Sequence, residues 1–156
     1  MGKTLSRPRG RYFEEFEVEQ QITSAGRTLT ETDIVAFAGL SGDYNQIHTD
    51  VEYSKNTQYG KRVAHGLLGL SIASGLAVQT GILEGTVQFF REINEWRFLK
   101  PIFIGDTIHV DLEVMETKPL RRIGGGMVVI KLEVINQQDE IVMRGLWNVL
   151  VASKPE

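Results

Sequence analysis

Asp43, Asn45 and His48 place a carboxylate, an amide and an imidazole within six residues, inside the stretch Phe37 to Ser54. A continuous α-helix would hold the outer two about 140° apart around its axis. Gly42 and the turn-forming Asp43 and Asn45 predict a loop instead. In such a curl Asp43 and His48 point into one space, and Asn45 holds neighbouring backbone groups. An ionised carboxylate only accepts hydrogen bonds, whereas imidazole accepts or donates near neutral pH. Aimed at one water molecule, the pair can take one proton and deliver another, as adding water across a double bond requires. The same residue types also serve as plain turn formers and as a packed histidine, and spacing alone leaves both readings open.

The elements that must position these groups follow from patterning. Gln21 to Thr30 reads as extended. Thr30 then caps a helix, with Asp33 completing a capping box; Ile34, Val35, Phe37 and Ala38 form its apolar stripe, and Gly39 and Gly42 end it. Asp50 caps a short helical piece, Val51 to Thr57, and residues 59–62 form a basic turn. Val63 to Val78 contains no Asp, Glu, Lys or Arg. Its leucines alternate with small residues, so a helix here has no polar face and should be buried on most sides. From Thr86 the period becomes two, giving strands over Val87–Phe98, Thr107–Glu116, residues 128–134 after a glycine turn, and Ile141–Ser153. Four strands in near-meander order with one buried helix make an α+β fold, an antiparallel sheet wrapped around a long central helix at about residues 63–79. The open sheet edge predicts pairing of two copies.

Composition narrows the classes. Seventeen Lys and Arg against twenty Asp and Glu give a net charge of −3, which argues against nucleic-acid binding. There is no cysteine, which excludes disulfides, thiolate metal sites and a cysteine nucleophile. No apolar run reaches the roughly 18 residues of a membrane span. The basic start is not followed by an apolar region, so a secretory signal is not expected, although Met1-Gly2 to Ser6 fits a loose myristoylation pattern. The expectation is a cytoplasmic protein with a frayed tail over residues 1–10 and one domain over residues 11–156.

Phe37, Leu40, Ser41, Gly42, Asp43, Asn45, Ile47, His48 and Ser54 together resemble the signature of the MaoC-like, (R)-specific enoyl-CoA hydratases of the hot-dog superfamily. Gln46 stands where that family usually has proline. The resemblance continues through Val63-Ala64-His65-Gly66-Leu67 and from Phe98-Leu99-Lys100-Pro101 to Gly105-Asp106-Thr107. It implies a hot-dog fold, at least a homodimer, and reversible addition of water to a trans-2-enoyl thioester to give the (R)-3-hydroxyacyl product. It implies no metal or redox cofactor. Asp43 and His48 match the catalytic pair, Gly66 the oxyanion-hole glycine, and Asn45 and Ser74 the residues supporting the aspartate.

The acyl-carrier end of such a substrate, on CoA or a carrier protein, bears phosphate. Lys61, Arg62, Lys100, Arg121 and Arg122 are candidate cations, and His65, beside Gly66, either packs under the loop or contacts substrate. Three rivals remain. A hot-dog thioesterase and a non-catalytic thioester-binding domain share the fold. A non-haem iron site from His48, Asp50 and His109, with Arg121 or Arg122 as anchor, fits the order of a two-histidine, one-carboxylate triad. Against it, His109 lies between Ile108 and Val110 and should face away from the core.

Overall fold

A computed structural model describes residues 10–155. The myristoylation pattern lies outside the described residues. Residues 1–9 of the expected frayed tail likewise lie outside the described residues; Gly10, its last residue, is tied down, its N–H donating to Glu84 O at 2.6 Å and Arg11 N–H to Ile82 O at 2.8 Å.

After a turn of 3₁₀ helix at Phe13–Glu15, the extended segment divides into two short strands, β1 (Gln21–Thr23) and β2 (Arg27–Thr28). Helix α1 (Glu31–Ser41) starts at the expected capping box, where Thr30 Oγ1 accepts from Asp33 N–H and Asp33 accepts from Thr30 N–H. Gly39 lies inside this helix rather than ending it. Termination falls at Gly42, whose φ of 77° is the left-handed cap glycine adopts most readily. Ile34 and Ala38 are buried, while Val35 is exposed and leaves the predicted stripe. Two short helices follow, α2 (Gln46–Thr49) and α3 (Val51–Lys55).

The central helix α4 runs Gly66–Gln79, three residues later than expected. Val63 is instead drawn into an isolated antiparallel bridge with Phe103. One face of α4, carrying Leu68, Gly69, Ile72, Ala73, Leu76 and Ala77, is buried. The opposite stripe, Leu67, Ser71, Gly75 and Val78, is exposed, so a single chain covers only half of the helix.

The long strands are β3 (Val87–Phe98), β4 (Thr107–Leu120), β5 (Gly125–Asn136) and β6 (Ile141–Ala152). Their antiparallel order is β1-β4-β5-β6-β3, with β2 also on β4. The meander therefore holds for β4, β5 and β6, whereas β3 pairs with β6 at the far edge. Alternation set the register of the core. Val110 faces Val134, Leu112 faces Leu132 and Val114 faces Ile130, all buried. Among the described residues no helix is long and apolar enough to cross a membrane.

Glycine permits the close fit of α4 on the sheet. A Cβ on Gly69 would collide with Met143 Cε on β6 and sit 3.1 Å from Ile102 Cδ1. Gly69→Val is expected to destabilise the protein by about 1–3 kcal/mol in urea unfolding, as overpacked cores do. Met143→Ala combined with it should recover part of that loss, whereas additive losses would contradict this contact.

Candidate active site

The predicted loop is partly helical. Asn45 Oδ1 accepts from Ile47 N–H at 3.2 Å and so caps α2, the single turn that carries His48. Asp43 lies outside that turn, with its Oδ1 accepting from Asn45 N–H at 3.2 Å. Gln46 occupies the first helical position, where proline is favoured. Here hydrogen bonds do the stiffening. The fully buried Ser54 hydroxyl lies 3.3 Å from both the Gln46 and Ile47 carbonyl oxygens and donates to them.

This folding brings Asp43 Oδ2 to 4.0 Å from His48 Nε2. His48 is buried, whereas the Asp43 side chain is half exposed. His48 Nδ1 lies 2.7 Å from the Val63 carbonyl oxygen. A carbonyl only accepts, so Nδ1 carries the hydrogen and Nε2 presents its lone pair toward Asp43. Burial lowers the pKa of His48 below the ordinary 6.5. The Val63 hydrogen bond opposes that shift, His65 adds to it, and the Asp43 charge opposes it. The result is an imidazole kept neutral, with one free acceptor.

His48 opens onto a pocket of about 280 Å³ that also holds Gly66, Tyr59, Phe98, Lys100 and Met143. Gly66 is the first residue of α4, so its N–H has no carbonyl one turn back within the helix. A Cβ at Gly66 would lie 2.9 Å from the Phe98 ring, so glycine keeps this wall open to the backbone.

Other expectations change. His65 is 2% exposed and packs beneath the loop, the first of its two expected places. Its Nε2 is 2.9 Å from the Asp43 carbonyl oxygen, and its ring stacks on His48 with centroids 3.8 Å apart. Ser74 is two turns along α4 from Gly66, and among the described residues its hydroxyl makes no hydrogen bond to Asp43. Arg62 pairs with Glu31 at 2.5 Å and only 12% of its side chain is exposed, so it is not a free cation for phosphate. Lys100 pairs with Glu140 at 2.5 Å yet stays half exposed at the pocket rim. Lys61 lies over the Phe103 ring. Arg121 and Arg122 are exposed in the turn before β5. The residues that sequence reasoning missed are Val63, which acts through its carbonyl and so leaves no side-chain signal, and Phe98 and Met143, supplied by distant strands.

Asp43, His48 and His65 each offer one metal-ligating atom within 4.8 Å of the others. The set fits a metal poorly. His48 Nδ1 and His65 Nε2 are engaged by carbonyls, and rings stacked at 30° direct their remaining lone pairs side by side. A tetrahedral ion needs converging ones. His109 is half-buried on the outward side of β4, between buried Ile108 and Val110.

An antiparallel sheet packed on one central helix is the hot-dog fold. The chain belongs to the MaoC-like domain family, whose model matches residues 14–136. It is 40% identical over 105 residues to protein MaoC of Klebsiella aerogenes, covering 67% of this chain and 31% of that protein. The chain thus spans about a third of that relative's length. An (R)-specific enoyl-CoA hydratase of Rhodospirillum rubrum is 35% identical over 112 residues, covering 71% of this chain and 74% of the relative. A solved structure described as the monoamine oxidase regulatory protein from Archaeoglobus fulgius superposes with a TM-score of 0.87 at 42% identity, covering 94% and 97% of the two chains.

The titration of His48 tests the site's electrostatics. By NMR its midpoint should fall below 6.5, and Asp43→Asn should lower it further, since removing the carboxylate removes a charge that favours the imidazolium. An Asp43→Asn midpoint at or above that of the unsubstituted protein would contradict the assignment.

Proposed function

We propose that this chain is a hydro-lyase that reversibly adds water to a trans-2-enoyl thioester, giving the (R)-3-hydroxyacyl thioester. The observation that carries this reading is the 4.0 Å separation of Asp43 Oδ2 and His48 Nε2 beside the Gly66 pocket. That gap is too long for a direct hydrogen bond, and a water oxygen about 2.8 Å from each atom spans it. The R. rubrum relative named as an (R)-specific enoyl-CoA hydratase supports the same reading.

The chemistry follows from charge. As hydroxide adds to the β-carbon, electrons move to the thioester oxygen, which becomes enolate-like. Gly66 N–H at the start of α4, with the helix dipole behind it, faces that charge. His48 Nε2 and Asp43 hold the water and take its proton, and the pair returns a proton to the α-carbon on the same face. No metal or redox group enters these steps. In this proposal Lys100, half exposed at the pocket rim, and Lys61 meet the phosphates of CoA or a carrier arm.

A second copy completes the assembly in this proposal. β3 is an edge strand with Phe89 61%, Phe90 41% and Ile93 39% exposed, and α4 exposes Leu67 at 61%. Exposed apolar rows on an edge strand and on a half-covered helix are what a two-fold partner would bury. Phe89→Glu is expected to shift the protein from dimer toward monomer in sedimentation, and a monomeric unsubstituted protein would refute the pairing.

Activity is tested with crotonyl-CoA and longer enoyl-CoAs, following loss of the conjugated double bond and the configuration of the product. Asp43→Asn and His48→Ala should each lower turnover at least about a hundredfold with the fold intact. Near-native turnover in either variant would sink the site assignment. Release of free CoA thiol would point to a thioesterase, and binding without turnover to a thioester-binding domain.

A further inference from the structure

Residues 42–45, which carry Asp43, are all exposed. Their local bonds stay within residues 38–49: Gly42 N–H to Ala38 O, Asp43 N–H to Ser41 Oγ, Tyr44 N–H to Gly42 O, and Thr49 Oγ1 to the Tyr44 and Asn45 carbonyls. Among the described residues, the hydrogen bond that ties this segment to a part of the chain outside residues 38–49 is that of His65 Nε2 with the Asp43 carbonyl oxygen at 2.9 Å. The acceptor is a carbonyl, so Nε2 is the protonated nitrogen. The same ring stacks on His48 at 3.8 Å and 30°, and Phe37 flanks it at 5.0 Å. His48 is held in turn from its other nitrogen by Val63.

We propose that His65 is a positioning residue that fixes the Asp43 carboxylate at a set height over the His48 ring, and that the gap between them depends on its Nε2–H bond. The inference rests on the hydratase reading for its kinetic consequence, but its structural content does not. One further observation separates it from simple filling of space. His65 Nδ1 is buried with no hydrogen-bond partner. A phenylalanine would stack on His48 without leaving a buried acceptor unpaired, so packing alone gives no reason for imidazole here. The N–H donor does.

Two substitutions divide the roles. His65→Phe keeps the stacked ring and loses the donor. His65→Gln places an amide N–H near the position of Nε2 and loses the ring. The first readout needs no substrate. The His48 midpoint is measured by NMR with and without Asp43→Asn, the groups facing His48 being Asp43 from the loop, His65 from the start of α4, and Tyr59 and Lys100 across the pocket. The shift caused by Asp43→Asn should shrink by at least about half in His65→Phe and persist in His65→Gln, because a charge that has moved away acts less on the ring. With enoyl-CoA, His65→Phe should lower kcat about 10- to 100-fold, the cost of misplacing a reacting group by about 1 Å, with KM changed less than about threefold. His65→Gln should restore most of that loss.

An undiminished Asp43 effect together with unchanged kcat in His65→Phe would overturn the proposal. Should that variant fail to fold, His65→Gln decides: coupling retained supports the donor role, and coupling lost in a folded protein refutes it. If the unsubstituted protein hydrates no enoyl thioester, the hydratase reading fails while the NMR coupling still reports on His65.

Discussion

The hydrogen bond between His48 Nδ1 and the Val63 carbonyl oxygen, 2.7 Å long and buried, is the constraint on which the site's geometry turns. It fixes which imidazole nitrogen is free, and it joins the single turn of α2 to the segment that leads into α4. That segment is fixed from both sides. Val63 N–H bonds the Ile47 carbonyl at 3.1 Å, and Ala64 N–H bonds the Ile102 carbonyl at 2.8 Å. The imidazole, the start of the central helix and the Phe98–Ile102 connection therefore form one hydrogen-bonded unit. A buried histidine so tied has little freedom to swing toward solvent, which keeps its free nitrogen where Asp43 meets it.

The packing of α4 follows from its small residues and in turn sets the pocket. Gly69 lets Met143 and Ile102 close against the helix, and those two side chains also line the space before His48. Gly66 does the same for Phe98 one turn earlier. Replacing either glycine would push a pocket wall as well as the core, so stability and access to the site are coupled through the same contacts.

The alternation in β4 and β5 was legible because period two admits a single buried face, and Ile108 to Val114 and Val128 to Val134 fill it. The capping box at Thr30 and Asp33 was legible because its hydrogen bonds are local. What was misplaced depended on distant partners. The start of α4 moved from Val63 to Gly66 because Val63 bridges Phe103, forty residues away. β3 lies beside β6 rather than β4 because pairing order is decided by the whole sheet, not by chain order. Arg62 looked available in the sequence, and the partner of a packed His65 could not be read from it. Glu31 and the Asp43 carbonyl, far from them in the chain, engage both.

By itself, then, the amino-acid order determined the residue types at Asp43, Asn45, His48 and Gly66, the helix start at Thr30 and the two-residue periodicity of the sheet. These are set by neighbours a few positions away, where side-chain chemistry and backbone preference act directly. Only the tertiary structure decided that Asp43 and His48 stand 4.0 Å apart, that His48 is neutral with Nε2 free, and that His65 lies beneath them. Those outcomes rest on a main-chain carbonyl, burial and ring stacking between segments well separated in the chain, and none of these is encoded by local spacing.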